Sequence, residues 1–495
     1  MNGNKMRYVY ASLCAILCLV PAVLMIYPGH VWGGDFSQYI AQARALATGS
    51  VESWYEKNAF IISHSGKGLG IPVYPWGLPF ILAPLYALFG EWLFAFKLVE
   101  ILFLAGSVFA SYLFFEKKTN KWAAFILALF MGLNPVYIQN TESVLSDIPC
   151  MFFSILAVIY VEKHLKESVS PVKNAVLSGF FIFCAVQMRS MALSLLAALI
   201  CYEAVSFIWG AFLEKHLTKF KVFAGGKSGS GRFYDKKWQY HLIPYVVFLA
   251  GTNLVNVLLP KAGESYADWF KLSFENMKMM WSRYYVEFYR FLGRFFVIIL
   301  ILAVVGMLCY LGTEFYLATY VLGTFFMLLI YEYYPGARCL FSIVPFLFLF
   351  SYYGVEAVFR RTKSGLVYYI AMAGAVIVLA FYISDVGRGI SFRQKIDRPV
   401  EAYSLDAQGV YDFIAGSIDK ESVVYFFKPR VLYLNTDVYS YTLPNGTEPS
   451  EALDGADYLL LYENDGQDTI KAFVSDNSDY QMIYYNDSFM LYQCP

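Results

Sequence analysis

The chain has 495 residues, of which 58% are apolar, 19% aromatic and only 15% charged, whereas about a quarter of the residues in soluble domains carry a charge. Lysine plus arginine equals aspartate plus glutamate at 38 each, so the chain lacks the basic excess that a nucleic-acid-binding protein shows. These proportions exclude a single soluble core and argue against a nucleic-acid partner.

The apolar residues gather in runs long enough to cross a hydrocarbon layer of about 30 Å. The first run, 8–27, follows a short basic N-terminus and has no small-residue cleavage site, so we expect a retained helix with its N-terminus in the cytoplasm. The further predicted spans are 92–115, 122–139, 148–163, 174–188, 190–211, 241–259, 293–312, 314–333, 339–357 and 366–384. The sequence therefore predicts an all-α polytopic membrane protein with about eleven transmembrane helices.

The run 72–90 is predicted to dip into the membrane without crossing it. A full crossing there would place the basic loop 214–241 outside, against the positive-inside rule. That loop, predicted to be cytoplasmic, carries Lys215, Lys219, Lys221, Lys227, Arg232, Lys236 and Lys237. This topology places the protein in the inner (plasma) membrane with its larger loops on the outer face.

Three segments are predicted to lie outside: a long first loop (28–71), a loop from 260 to 294, and the tail from 385 to 495. The tail changes composition abruptly, and polar helix-like stretches alternate there with short β-type runs. We therefore divide the chain into a transmembrane domain (1–384) and a small extracytoplasmic α/β domain (385–495). Most of the eight cysteines, among them Cys14, Cys18, Cys184, Cys201 and Cys309, lie inside apolar runs. No pair shows metal-ligand spacing, so they are interpreted as packing residues.

The first carboxylate of interest follows the first span. Gly33 and Gly34 end the membrane helix, and Asp35 begins an amphipathic helix that also contains Tyr39. Asp35 has two readings of about equal weight: it caps this helix, or it acts as a general base at the boundary between water and lipid.

Further along the first loop come His64 and Lys67, and then a proline-rich stretch that contains Tyr74. Three prolines between residues 72 and 79 forbid a regular helix there, and irregular backbone at membrane depth requires a surrounding protein cavity or water. Glu142 and Asp147 fall in a later outer loop. Asp147 either caps the next helix or faces the same cavity as Asp35.

Several cations lie near or within the predicted membrane boundary. Arg189 and Arg338 fall between apolar runs near the outer surface, where they suit a lipid phosphate or simply snorkel to headgroups. Lys97 and Glu100 lie three residues apart inside one span and are predicted to pair. Such an intramembrane pair is either functional or a packing device.

The order of these features resembles the GT-C glycosyltransferase superfamily, specifically the polyprenyl-phosphate-sugar-dependent group of protein O-mannosyltransferases and the lipid A aminoarabinose transferase. The matching elements are Gly34-Asp35 with Tyr39 and Ala43-Arg44, Tyr74-Pro75-Trp76-Gly77-Leu78-Pro79 with Leu88-Phe89-Gly90, and Ser146-Asp147-Ile148-Pro149. The resemblance covers about residues 1 to 385 and leaves the tail similar to the variable C-terminal domains of such enzymes.

The resemblance implies a hexosyl or pentosyl transferase. It would move one sugar, with inversion, from a polyprenyl-phosphate donor to a glycan, lipid or protein acceptor on the outer face. Asp35 would be the catalytic base, with Asp147 positioning acceptor or sugar. Lys67, Arg189, Arg338 and Lys97 would hold the donor phosphate, and Tyr39, His64, Tyr74 and Glu142 would line the cavity.

Two departures from the family pattern bear on this assignment. The usual arginine early in the span after Phe89-Gly90 appears as Lys97, which keeps the charge but loses the two-pronged grip. Asp35 has no second carboxylate beside it, whereas a hard divalent cation normally takes several oxygen ligands. We therefore expect metal-independent catalysis without a cofactor.

The main alternative is a multi-pass transporter or flippase of a lipid-linked or small polar substrate, because intramembrane charges and broken helices also mark transport pathways.

Overall fold

Helices account for most of the chain in the computed structural model, which describes residues 3–66, 69–167, 169–208, 239–261, 269–396 and 398–495. The basic loop and Lys67 thus lie outside the described residues, apart from the last residues of the loop. The helices of the membrane bundle and its outer segments are α1 (Gly3–Leu24), α2 (Gly34–Thr48), α3 (Val51–His64), α4 (Gly77–Phe89), α5 (Leu93–Lys118), α6 (Lys121–Gly132), α7 (Pro135–Asn140), α8 (Asp147–Lys166), α9 (Pro171–Met188), α10 (Leu193–Ile208), α11 (Gln239–Leu258), α12 (Phe274–Leu292), α13 (Phe296–Tyr310), α14 (Phe315–Ile330), α15 (Val344–Thr362) and α16 (Leu366–Arg393).

Within the described ranges, eight helices are long and apolar enough to cross a membrane, and three shorter apolar helices accompany them. The segment predicted to dip into the membrane forms one of the shorter ones, the 13-residue α4. The predicted architecture, a polytopic helical membrane protein with a small C-terminal α/β region, is confirmed.

Three details differ from the predicted spans. The run 122–139 is broken into α6 and α7, because Pro135 lacks an amide hydrogen and Asn134 caps the new helix by accepting a hydrogen bond from Val136 N at 3.0 Å. The outer loop 260–294 contains α12, whose buried residues include Met280, Tyr284 and Phe288. The boundary predicted at 384 falls inside α16, which continues to Arg393.

The C-terminal region folds around a five-stranded mixed sheet. Its elements, in chain order after β1 (Gly29–His30), are β2 (Val400–Glu401), α17 (Leu405–Ser417), β3 (Val423–Tyr425), α18 (Pro429–Thr436), β4 (Tyr439–Tyr441), α19 (Pro449–Ala452), β5 (Tyr458–Tyr462), α20 (Asp468–Ser475), β6 (Gln481–Tyr485) and β7 (Phe489–Gln493). The strand order is β4-β3-β5-β7-β6, with parallel pairs around β3 and antiparallel pairs around β7.

Contacts from the first loop fix this sheet region to one end of the bundle, called here the sheet face. β1 pairs with β2 in parallel, and Arg44 of α2 makes an ion pair of 2.7 Å with Asp437. The other end, called here the basic face, carries a network in which Lys118 lies 2.9 Å from Glu162 and 2.7 Å from Glu314. The functional candidates of the first loop lie at the sheet face, at the end of the bundle opposite the Lys118 network.

Candidate active site

The candidate site is built around Asp35, in the first turn of α2. The N-cap of α2 is Gly33, so of the two readings for Asp35 the capping one does not hold. Its carboxylate instead accepts a hydrogen bond from the Tyr74 hydroxyl at 2.6 Å and lies 2.6 Å from an Arg338 guanidinium nitrogen. The side chain remains about one third exposed, so a substrate can approach a carboxylate that the protein holds from two sides.

The electrostatics of Asp35 follow from these two partners. Burial opposes ionisation, but the adjacent Arg338 charge and the Tyr74 hydrogen bond outweigh it and lower the pKa of the Asp35 carboxyl to about 2. Asp35 is therefore a carboxylate at neutral pH, able to accept a proton once its cationic partner is withdrawn.

A second carboxylate joins Asp35 through the same arginine. Asp147 is the first residue of α8, whose N-cap is Ser146. One Asp147 oxygen lies 2.5 Å from Arg189, and the other lies 4.0 Å from Arg338. The order Asp35, Arg338, Asp147, Arg189 thus alternates acid and base. Of the two readings for Asp147, the structure has it facing the same cluster as Asp35.

Both arginines come from breaks between consecutive apolar helices. Arg189 has an extended backbone between α9 and the 3-10 turn that begins α10. Arg338 lies in a 3-10 turn before α15, after Gly336, whose φ of 87° favours glycine. Arg338 also donates to the Pro335 carbonyl at 3.0 Å. The breaks leave each side chain at the end of the bundle, where it can reach an anion.

Tyrosines and a tail arginine close the site. The Tyr39 hydroxyl lies 2.7 Å from the Ser146 hydroxyl, and its ring centroid is 5.2 Å from that of Tyr74. The Tyr74 hydroxyl accepts a hydrogen bond from Arg430 of α18 at 2.9 Å, and Arg430 also donates to the Ile71 carbonyl at 2.8 Å. The C-terminal region thus reaches the first-loop carboxylate through one tyrosine.

Sequence reasoning missed Arg430 and its neighbour Lys428. Burial lowers the pKa of Lys428, and the Asp35 carboxylate is the largest influence that opposes this shift. The ammonium group therefore lies within electrostatic range of the candidate base. Neither cation belongs to a recognisable motif. The one local signal is Pro429 between them, which begins α18 and separates two basic residues in an otherwise apolar stretch.

Lys97 and Glu142 form a separate, closed ion pair. Their charged atoms are 3.0 Å apart, and Lys97 also donates to the Tyr27 carbonyl at 2.9 Å. Both side chains are almost fully buried. The predicted pairing of Lys97 with Glu100 is wrong, because the chain returning after α7 presents Glu142 to Lys97. These contacts tie the end of α1 to α5, and their place in the donor site stays a prediction.

The remaining predicted site residues lie elsewhere or outside the described chain. His64 is exposed at the end of α3, where its ring stacks on Phe60 at 3.8 Å and Nδ1 contacts the Phe60 carbonyl oxygen. Its hydrogen bonds are therefore local to that helix end. Lys67 is not among the described residues. The structure thus brings Asp35, Asp147, Arg189, Arg338, Tyr39 and Tyr74 together.

Comparison with known proteins finds matches to this chain by structure but none by sequence. No protein-family model matches the chain, and no curated sequence matches it. Among solved structures, ArnT from Cupriavidus metallidurans in the apo state aligns with a TM-score of 0.58 over 97% of each chain, at 14% identity. This chain has the GT-C fold. The predicted GT-C resemblance is thereby confirmed for the fold over nearly the whole chain.

Two further GT-C structures carry informative ligands. ArnT bound to undecaprenyl phosphate matches with a TM-score of 0.55 at 12% identity, covering 99% of this chain and 98% of that one. The Archaeoglobus fulgidus oligosaccharyltransferase tethered to an acceptor peptide matches with a TM-score of 0.57 at 10% identity, covering 98% of this chain and 74% of that one. At such identities these GT-C structures establish the shared fold, and the chemistry must be argued from this chain's own residues.

Proposed function

We propose that the protein is an integral membrane glycosyltransferase that uses a polyprenyl-phosphate-linked sugar as donor. The observation that carries this proposal is the alternation of Asp35, Arg338, Asp147 and Arg189 at one end of a GT-C bundle. Transfer from a lipid phosphate needs a base for the acceptor and cations for the departing phosphate. This cluster holds both within one group of contacts.

The proposed reaction is a single displacement with inversion. The acceptor hydroxyl oxygen attacks the anomeric carbon, and its proton passes to the Asp35 carboxylate. The bond between that carbon and the phosphate oxygen breaks, and the electron pair leaves with the polyprenyl phosphate. Arg338, Arg189 and Lys428 are available to stabilise the added charge, and Asp147 positions the two arginines. Lys67 stays in the predicted phosphate-binding set.

Donor binding and base strength are coupled in this scheme. In the structure Arg338 lies 2.6 Å from Asp35 and lowers the pKa of that carboxyl. A donor phosphate that competes for Arg338 weakens this ion pair, so the pKa of Asp35 rises toward the range of a useful base. The base is thus strengthened when the donor is present.

The orientation follows from charge. The basic loop 214–241 connects α10 to α11 along the chain, and the positive-inside rule assigns such a loop to the cytoplasm. We therefore propose a plasma-membrane protein with a cytoplasmic N-terminus and an outer sheet face. Reporter fusions at the C-terminus and within 214–241 test this orientation, and equal labelling from the same side would contradict it.

Catalysis is proposed to need no metal or cofactor. Each carboxylate of the cluster has an arginine partner, at 2.6 Å for Asp35 and 2.5 Å for Asp147. A divalent cation placed between them would be repelled by those guanidinium groups. Full transfer in excess chelator, at a temperature well below unfolding, is the expected result. Loss of transfer that added metal restores would overturn this part of the proposal.

The deciding experiment measures sugar transfer in proteoliposomes supplied with a panel of polyprenyl-phosphate sugars. Asp35→Asn is expected to lower turnover by about 10²- to 10⁴-fold, the usual contribution of a general base. The matched control is Asp468→Asn, which removes a carboxylate that is 93% exposed and should leave turnover unchanged. Equal turnover in the wild type and Asp35→Asn would remove Asp35 as the base. Donor movement across the bilayer without transfer would replace the transferase with a flippase.

A further inference from the structure

A cluster of metal-ligating side chains lies near the basic face, away from the Asp35 cluster. His164 is near the end of α8, Glu203 is in the second half of α10, and His241 is in the first turn of α11. One ligand atom from each lies within 4.8 Å of the other two. Three helices that are separate in sequence therefore bring two imidazoles and one carboxylate to one point.

The internal contacts of this cluster orient its ligands. One Glu203 carboxylate oxygen is 3.2 Å from His241 Nδ1, and the other accepts a hydrogen bond from the Tyr245 hydroxyl at 2.6 Å. The His164 and His241 rings are 5.7 Å apart at their centroids, at an interplanar angle of 65°. His164 is fully buried, while Glu203 and His241 are half-buried. A partly accessible carboxylate held by a neutral donor is typical of metal sites.

We propose that His164, Glu203 and His241 bind one divalent transition-metal ion, with Zn²⁺ as the expected occupant. Two imidazole nitrogens and one carboxylate form a ligand set that zinc takes in proteins, with water at the fourth position. Imidazole also selects against Mg²⁺ and Ca²⁺, which prefer oxygen ligands. Within the described ranges no other group of three such side chains meets the same distance limit.

The place of the site suggests what the metal does. α10 ends at Ile208 and α11 begins at Gln239, so Glu203 and His241 lie on the two helices that flank the basic loop. Bound metal would join both helices to α8 at the basic face. Because metal binds the folded arrangement and not the separated helices, it stabilises the protein by mass action. The metal is therefore expected to stabilise the fold at the basic face and to take no part in sugar transfer.

The experiment uses full-length protein purified in detergent with an affinity tag free of histidine, then stripped of metal and titrated with Zn²⁺. One zinc per chain is expected, with a rise in the unfolding temperature. His164→Gln, His241→Gln and Glu203→Gln are expected to weaken binding by more than about 100-fold, which exceeds the usual effect of removing a hydrogen-bond partner of a metal ligand. His64→Gln is the matched control, since that histidine is exposed and outside the cluster.

Two further measurements separate a metal site from an ordinary ion pair. Tyr245→Phe retains the three ligands but removes the hydrogen bond to Glu203, and it is expected to weaken zinc by about 10- to 100-fold while keeping the stoichiometry. Co²⁺ should give the intense visible absorption of a four-coordinate site in the wild type. Absence of zinc binding by the wild type, or equal affinity in His164→Gln and the wild type, would overturn the proposal. Sugar transfer by metal-free protein distinguishes that result from failure of the proposed function.

Discussion

At the scale of single residues, the site depends on a few charges that control one another. Asp35 is an acid whose pKa is lowered to about 2 by the surrounding cation and hydroxyl donor, against the effect of burial. The local sequence left capping and catalysis equally open for this residue, because both place an aspartate at the start of a helix. In the structure Gly33 takes the N-cap position, and the Asp35 carboxylate contacts Tyr74 and Arg338 from distant segments. Its role as the base stays a proposal.

The tyrosine contact leads to a prediction about pH. Tyr74→Phe removes the hydrogen bond that favours ionised Asp35, so the pKa of Asp35 rises and the acidic limb of kcat/KM moves to higher pH. Wild-type kcat/KM should stay level to below about pH 4, because the pKa of Asp35 in the free protein is lowered to about 2. Tyr39→Phe is the control, since its hydroxyl contacts Ser146. Coincident acidic limbs in Tyr74→Phe and wild type would contradict the prediction.

His30 provides a second pH-dependent test, on stability. Burial lowers the pKa of His30 to about 4, and its ring stacks on Phe36 at 3.8 Å while Nε2 accepts from Val144 N. Because the unfolded chain binds this proton near pH 6.5 and the folded chain near 4, the unfolded state holds more protons between these values. Above pH 6.5 the proton affinity of His30 therefore costs the folded state nothing. The free energy of unfolding decreases as the pH falls from 6.5 toward 4.

The measurement is the unfolding temperature from pH 7 to pH 4. His30→Gln should lose less stability over that range than the wild type, by an amount on the order of 3 kcal/mol for a shift of this size. His64→Gln, at an exposed position, should follow the wild-type curve. Parallel curves for His30→Gln and the wild type would show that protonation of His30 does not oppose folding.

At the scale of elements, the site exists because the membrane helices are interrupted. Arg189 and Arg338 lie in non-helical backbone between apolar helices, and the proline-rich stretch before α4 presents Tyr74. Irregular backbone at this depth needs polar partners, which the Gln38 and Gln42 side chains of α2 supply by donating to the Pro72 and Tyr74 carbonyls at 2.9 and 3.0 Å.

The bundle beneath the site depends on close helix packing. α13 and α15 approach so closely that a Cβ added at Gly306 would lie 1.9 Å from the Phe350 carbonyl oxygen. Gly306→Ala is therefore expected to separate the helices and to cost about 1–3 kcal/mol, as overpacking does. Gly323→Ala in α14 is the control, because a Cβ there meets nothing within 4 Å. Equal unfolding temperatures for the two variants would contradict this account.

At the scale of the whole molecule, the C-terminal region and the bundle share the site. Arg430 of α18 reaches both the Tyr74 hydroxyl and the Ile71 carbonyl, and Arg44 of α2 donates to the Leu434 carbonyl at 2.8 Å. The tail is therefore a positioning element for the first loop as well as a separate fold. A chain with the bundle alone would leave Tyr74 without its cationic partner.

This shared construction makes Arg430 a positioning residue. Arg430→Gln loses hydrogen bonds between a charged group and two acceptors, each worth about 1.5–3 kcal/mol, so we expect kcat to fall by about 10- to 100-fold with a smaller change in KM. Arg430→Lys should restore part of the rate. The control is Arg388→Gln, at a side chain that is 77% exposed. A fall in unfolding temperature with unchanged kcat would make the role of Arg430 purely structural.

The sequence by itself determined the membrane character, the helical nature of the bundle and the α/β nature of the tail. These features depend on the length and spacing of apolar runs, which are local properties of the chain. It also marked Asp35, Asp147, Arg189 and Arg338 as candidates, because charged residues at the edges of apolar runs are costly unless they have a purpose or a partner.

Only the tertiary structure decided which of these residues meet. The pairing of Lys97 with Glu142 in place of Glu100, the contact of Arg430 with Tyr74, and the convergence of His164, Glu203 and His241 all join segments far apart in sequence. Periodicity places side chains on a helix face but carries no information about which other helix that face will meet. That choice depends on the packing of the whole bundle, where close contact and the cost of burying an unpaired charge select the partners.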